Sequence, residues 1–333
     1  KVLFSSVSGP WAFESFQRAT QRAGGFRYYV SRNKPNFNRA FEGLAAEYPE
    51  FQSDAVFVYF CGYGGKRMPE LDPAPRRVGL IDVSVTEEFD DKGALARNLQ
   101  AAGCEEAFPP TFFGIDEALR ATSEAACSTV FFLKPPCETG GGGIELVTRA
   151  QLAAGHTVPG GRIIQQCVQD LETIEGRKFV MRFFLVVHDG GLYLHRRGMT
   201  IVHSKPYDRE SVDFDVQCHR SFADGGGQLL VSHELPGFDG RYAAIRRRVV
   251  QILPALQPLL DASSAECYTI IGGDAVIEST GEARLIELNM YPNMGLLSEL
   301  GRDFNMWVIT PMLKDALATI LVGDERPELE RLG

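Results

Sequence analysis

The 333-residue chain has no apolar run long enough to cross a bilayer, so neither a membrane-spanning helix nor a membrane partner is expected. It has no C-x-x-C pair. Its seven cysteines (61, 104, 127, 137, 167, 218 and 267) are scattered and odd in number, which speaks against a zinc site or a disulfide framework. Free thiols in a reducing, cytoplasmic setting are the simpler reading. Positive charge is in deficit: 34 Lys and Arg face 43 Asp and Glu, a formal net charge of −9. That balance argues against nucleic acid and acidic surfaces as partners. Internal repeats and low-complexity tracts are missing too, which sets solenoids and disordered arrays aside. The chain opens on Lys1 rather than Met, the expectation for a trimmed or mature chain, with a lost leader left open.

Apolar residues at 44% and charged residues at 23% suit a soluble globular enzyme, and the length suits two or three lobes. One stretch organises the rest: Phe131 to Ile144, FFLKPPCETGGGGI. A short apolar strand from Thr129 to Leu133 delivers Lys134, and the glycine run Gly140, Gly141, Gly142, Gly143 follows. Four adjacent glycines cost backbone entropy but let the chain approach a ligand and aim several N–H groups at it. A lysine on the preceding strand points to an anion, and a polyphosphate fits. The plain alternative is a hairpin turn with an unrelated lysine. No Lys-Ser or Lys-Thr follows the glycines, so this is not a P-loop, and their spacing is not that of a dinucleotide fingerprint.

Before this stretch, strands are expected at Lys1–Ser6, Phe26–Val30 and Ala55–Phe60. Helices are expected at Trp11–Ala23, stopped by Gly24-Gly25, and at Phe37–Tyr48. Strand alternating with helix suggests a small open α/β lobe. Gly62, Gly64, Gly65 and the proline-rich Pro69–Pro75 mark a lobe boundary. The acidic Glu87–Asp91 precedes Lys92, and helices follow at Gly93–Ala102, Ile115–Thr122 and Thr148–Ala154. Arg162–Val168 and Lys178–His188 read as strands. Asp189-Gly190-Gly191 signals a hairpin returning through Leu192–Arg196. Asp224–Gly227 is a glycine loop. A long helix over Tyr242–Leu260 should be broken or kinked by Pro254 and Pro258. Cys267–Gly272, Asp274–Glu278 and Arg284–Asn289 read as strands, and Phe304–Leu321 as a closing helix.

A second site-like feature joins Asp274 to Glu287 and Asn289. In a strand the last two point to one face, and a turn at Ser279–Gly281 would bring Asp274 alongside. Such hard-oxygen groups suit Mg²⁺ together with phosphate oxygens. The alternative is a solvated strand face.

The order Lys92, then Lys134 with its glycine loop, the strand into Gln166-Cys167-Val168, then Asp274, Glu287 and Asn289 resembles the ATP-grasp superfamily. Gly176-Arg177-Lys178-Phe179 with Arg182, and the ending LIELNMYPN, resemble its tubulin–tyrosine ligase branch. The likeness covers about Asp91 to Leu321. It implies an α/β (α+β) fold of three lobes with ATP clamped between the central and C-terminal ones. The lobes would span 1–86, 87–164 and 165–322, with a tail at 323–333. By the resemblance, Lys92 and Lys134 would hold the α- and β-phosphates, and Gly140–Gly143 would cover the triphosphate. Gln166, Cys167 and Val168 would meet the adenine edge. Lys178 would lie beside adenine or phosphate. Asp274, Glu287 and Asn289 would hold Mg²⁺, and Arg182 would face the γ-phosphate and stabilise the developing oxyanion. Two positions depart from the branch. Val180 stands where it usually has an aspartate, and Thr200 and Ile201 stand near an expected arginine. The nucleotide side therefore matches while the acceptor side differs.

The resemblance implies a ligase that activates a carboxylate as an acyl phosphate and joins it to an amine. Its substrates would be an amino acid or small peptide. The alternatives are addition of amino acids to a tubulin-like acidic protein tail, which a chain of net −9 suits less well, and a nucleotide-binding module without chemistry. His195, Arg196 and Arg197 are candidates for lining the carboxylate site or for a solvated strand end. His203, Ser204, Lys205 and Tyr207 are equally open, and Arg246–Arg248 reads as a solvated face.

Overall fold

The computed structural model describes residues 20–61, 67–71, 73–74, 76–137, 142–218, 227–294 and 304–333. The expected strand Lys1–Ser6, the helix from Trp11 as far as residue 19, Gly62, Gly64, Gly65, Gly140, Gly141 and most of the 224–227 loop lie outside them.

The described chain begins as a hairpin, β1 (Gln21–Ala23) and β2 (Phe26–Val30), turning at Gly24-Gly25. Residues 21–23 are therefore a strand rather than a helix end: the glycine pair reverses the chain. Helix α1 (Lys34–Glu47) buries Phe37, Ala40, Phe41 and Leu44, the one-face spacing of an amphipathic helix. Strands β3 (Ala55–Tyr59) and β4 (Arg76–Leu80) then run parallel to β2. The acidic segment at 87–91 lies mostly in a helix. Asp82 caps α2 (Val83–Asp90) by accepting the Ser84 N–H, and Asp91 starts α3 (Lys92–Ala101) by accepting from Gly93 and Ala94.

A small sheet follows: β5 (Thr111–Phe112), α4 (Ile115–Ala121), β6 (Val130–Lys134), β7 (Glu145–Thr148), α5 (Arg149–Ala153) and β8 (Ile163–Gln166). Its four strands lie in the order β5-β8-β6-β7. Phe131 and Leu133 enter its core with Phe112, Val147 and Ile164. Strand alternation then turns Val130, Phe132 and Lys134 to the opposite face.

Next come β9 (Arg177–His188), β10 (Gly191–Pro206), α6 (Phe214–Gln217), β11 (Gln228–Val231), α7 (Phe238–Gln251) and α8 (Leu253–Ala262). The β9–β10 turn has Asp189 at φ 47° and Gly190 at φ 69°, the left-handed pair of a tight hairpin. Strand β10 runs far beyond Arg196, because a register shift between His195 and Met199 absorbs the irregularity that looks like a strand end. The expected long helix is two helices: Pro254 sits in the first turn of α8, and Pro258 is held inside it. Strand β12 (Cys267–Ile277) is continuous through Gly272-Gly273, and β13 (Ala283–Asn289) pairs with it. The C-terminal helical stretch is α-helical over Thr310–Leu317 (α9), with wider-wound turns on either side. The tail adds β14 (Leu329–Arg331) to β10.

A ten-stranded mixed sheet runs β1-β2-β3-β4-β12-β9-β10-β11, with β13 on β12 and β14 on β10. The first strands thus share a sheet with the last, through parallel pairing of Cys267 and Tyr268 with Gly79 and Leu80. Period two in β9 builds both cores. Phe179, Met181, Phe183, Leu185 and Val187 face α7 and α8, whereas Phe184 and Val186 face α1 and α9. Lys178, Val180 and Arg182 share the parity of Phe184 and Val186, and so continue that second face toward the small sheet.

Tyr268 pins the N-terminal strands to β12. It is fully buried, stacks on Phe57 with ring centroids 4.9 Å apart, and donates to the Val58 carbonyl at 3.1 Å. Replacing Tyr268 by Ala should cost about 3–5 kcal/mol, and Tyr268→Phe about 1 kcal/mol. Denaturant unfolding checks both; a single shifted transition is expected, since the sheet is shared.

Candidate active site

The free face of the small sheet and the continuing face of β9, β12 and β13 enclose a cavity of about 610 Å³. Lys134, Gln166, Val168, Lys178, Arg182, Asp274, Glu287 and Asn289 line it. Asp274 lies opposite Glu287 and Gly272 opposite Asn289 across β12–β13. A register shift just beyond Asp274 makes this possible. Leu285 and Leu288 both enter the main core, so Ile286 and Glu287 between them both face the cavity. Gly273 is obligatory beside them, because a Cβ there would fall 2.0 Å from the Phe183 ring.

Each cation in the site has a defined partner. Arg182 grips Asp274 with two bonds, Nε to Oδ1 at 2.8 Å and Nη2 to Oδ2 at 2.6 Å. Burial works against that guanidinium's charge, and the Asp274 carboxylate more than offsets it, holding the pKa above the ordinary arginine range. Lys134 is 7% exposed and donates to Gln165 Oε1 at 2.6 Å. Lys178 donates to the Gln217 carbonyl at 2.9 Å. Both ammonium groups lie 5.3 Å from the Phe132 ring centroid. Lys92 does not line this cavity among the described residues. It pairs with Glu287 at 3.1 Å and lines the neighbouring cavity.

Around these charges the walls are apolar: Phe132, Ile144, Val168, Val180, Val276 and Ile286 form a slot. No family model matches the chain, and no curated protein matches it. Chemical reading of the site therefore rests on its own residues. Arg32, Lys134, Lys178 and Arg182 face Asp274 and Glu287 in the cavity, an excess of positive charge inside a chain of net −9. Such a cavity suits a polyanion attached to a flat apolar group.

The remaining expected residues sit less simply. Gln166 and Cys167 donate their N–H groups to the Pro110 and Val130 carbonyls, and the Val168 carbonyl accepts from Tyr207. These backbone groups are thus used within the fold, and the strand end contributes the Gln166 and Val168 side chains to the wall. Cys167 is buried against Val130 and Phe132. Gly142 and Gly143 are exposed, the Gly143 carbonyl accepts from Arg162 at 2.5 Å, and the cavity wall resumes at Ile144.

His195 is buried and its Nε2 hydrogen-bonds Asp315 Oδ2 at 3.0 Å, away from the cavity, and is structural. Arg246, Arg247 and Arg248 pair with Glu330 and Glu282. His203, by contrast, lines the cavity. Its Nδ1 donates to the Val216 carbonyl at 3.0 Å. Arg32, Gln165, Gln217 and Tyr291 are further wall residues that periodicity did not single out. Their roles come from contacts between distant segments, and no local pattern announces them.

All seven cysteines are free thiols. Among the described residues no helix is long and apolar enough to cross a membrane.

Burial lowers the Lys134 pKa, with Glu287 opposing the shift. A bound anion favours the charged form, so its affinity is full below this depressed pKa and falls as the pH rises through it. Calorimetric titration of inorganic tripolyphosphate from about pH 7 to about pH 10 should show affinity falling well before an ordinary lysine titrates, and Lys134→Arg should flatten the profile.

Proposed function

We propose that this cavity binds ATP and that the protein is an ATP-dependent carboxylate–amine ligase. The observation that carries the reading is the convergence of Lys134, Lys178 and Arg182 with Asp274 and Glu287 beside an apolar slot. The slot accepts the adenine ring and the cations accept the triphosphate. Asp274, Glu287 and Asn289 offer only oxygen donors and fit Mg²⁺ by chemistry. Their carboxylates are at present paired with Arg182 and Lys92. These three residues would hold the ion, and Arg182 and Lys92, now paired with two of them, would be the cations nearest to it. When bound, Mg²⁺ would supply charge neutralisation of the phosphates.

The reaction follows from these groups. A substrate carboxylate oxygen attacks the γ-phosphorus in line, the bond to the ADP oxygen breaks, and an acyl phosphate forms. An amine then attacks the acyl carbon. Arg182 stabilises the tetrahedral oxyanion, the amine gives up its proton, and phosphate leaves with the closing of the amide bond. The clamp between the two sheets keeps water from the acyl phosphate. The substrate class is an amino acid or small peptide; a three-lobed ATP-grasp arrangement of residues 1–86, 87–164 and 165–322 goes with this reading.

Phosphate release from ATP–Mg²⁺, scanned over single amino acids, amino-acid pairs and an acidic peptide ending in glutamate, tests it. Release with a small-molecule pair, plus a product at the mass of their amide, is the expected result. Release only with the peptide and an amino acid would instead favour a tail-modifying ligase. Glu287→Gln should lower turnover by at least about tenfold; full activity would sink the metal assignment.

A further inference from the structure

Behind β13 lies a second cavity of about 310 Å³. Its walls are apolar and almost wholly buried: Leu95 and Leu99 of α3, Phe108, Phe112, Ile163 and Leu288. None of these belongs to the nucleotide-binding set. The cavity sits where the chain passes from α3 through Pro109-Pro110 into the small sheet, so one wall is α3 and β13 and the other is β5 and β8. Charged groups, among them Lys92, Lys134, Arg284 and Glu287, sit around this apolar patch, and an unfilled space of this kind costs stability because its lining lacks packing partners. Apolar cavities of about 150 Å³ stay dry and admit benzene. This one has about twice that volume, the size of a bicyclic aromatic ring. The polar rim at Glu105 and Glu106 suits a ring that carries a donor N–H.

The cavity is not isolated from the candidate active site. Lys134, Gln165, Ile286 and Glu287 line both. The Lys92–Glu287 ion pair and the Lys134–Gln165 hydrogen bond form the partition between them. We infer that this cavity is a separate binding site for an uncharged bicyclic aromatic ligand, and that its occupancy tightens ATP binding by steadying that partition. A ring packed against Ile286 and Leu288 fixes the segment of β13 that carries Glu287 and Asn289. A nucleotide binding afterwards has less to order. The coupling half of this inference rests on the ATP reading above; the ring site does not.

Indole is the probe, followed by its own fluorescence and by calorimetry on the full chain. Saturable binding of one indole per chain is expected, lost in Ala96→Phe, which fills the cavity from α3. Ala96→Leu, a smaller filler, serves if the Phe variant does not fold, and should weaken binding. Saturating indole should tighten ATP by about fivefold, and ATP should tighten indole by the same factor. Absence of saturable binding, or binding unaffected by either filler, overturns the site. Unchanged or weakened ATP affinity overturns the coupling. Complete competitive displacement of indole by ATP overturns a separate site, by placing the purine itself in this cavity. A protein that holds indole but no ATP leaves the ring site standing and contradicts the ligase reading instead.

Discussion

Three cationic side chains, Lys134, Lys178 and Arg182, are drawn into the interior where two sheets meet, and a buried charge without compensation is among the costliest features a fold can carry. Much of the surrounding structure is compensation. Asp274 is placed by cross-strand register directly beside Arg182 and receives two of its N–H groups. Gln165 stands one strand away from Lys134 in the small sheet, and the Gln217 backbone is brought over by α6 to meet Lys178. The register shift in β13 turns Glu287 inward where it balances Lys92 and Lys134. With Arg32 counted, four cations face two carboxylates in the cavity, a balance that suits an anion.

The ten-stranded sheet gives this arrangement its rigidity. Strand β9 is apolar on both faces over most of its length, and it turns polar on one face only where it leaves the packed helices and reaches the cavity. In β12, Asp274 follows Gly272-Gly273 and is flanked by the buried Ile270, Ile271, Ala275 and Val276. Arg182 and Asp274 are thus mounted on strands whose neighbouring residues are locked in the core. That placement adds to the restraint their hydrogen bonds supply. The small sheet has its own core and meets the large one across the cavity, so the cavity's two walls belong to separately packed units.

Much of this was legible in the sequence where the signal was local. The turn at Ser279–Gly281 and the two-residue spacing of Glu287 and Asn289 correctly placed Asp274 across from Glu287. The strand ending in Lys134 and the Asp189-Gly190 hairpin were equally clear. What stayed hidden depends on partners far away in the chain. Arg196-Arg197-Gly198 looks like a strand end, yet β10 continues because β9 and β11 hold it on both sides. Residues 21–23 look helical by composition and pair with β2 instead. Gln217, His203 and Arg32 line the cavity only because tertiary packing gathers them there. Pro258 reads as a helix breaker, but α8 retains it, with Leu256, Leu259 and Leu260 buried against the sheet.

The central claim is that the cavity between the sheets is a nucleotide site built on Lys134. Calorimetric titration of ATP–Mg²⁺ into the wild type and Lys134→Ala, with the fold of both confirmed by circular dichroism, tests it most directly. The account predicts saturable binding to the wild type and a loss of about tenfold or more in the variant, the worth of one buried charge-assisted contact. Equal affinity in the two proteins, or no binding by the wild type, would contradict it.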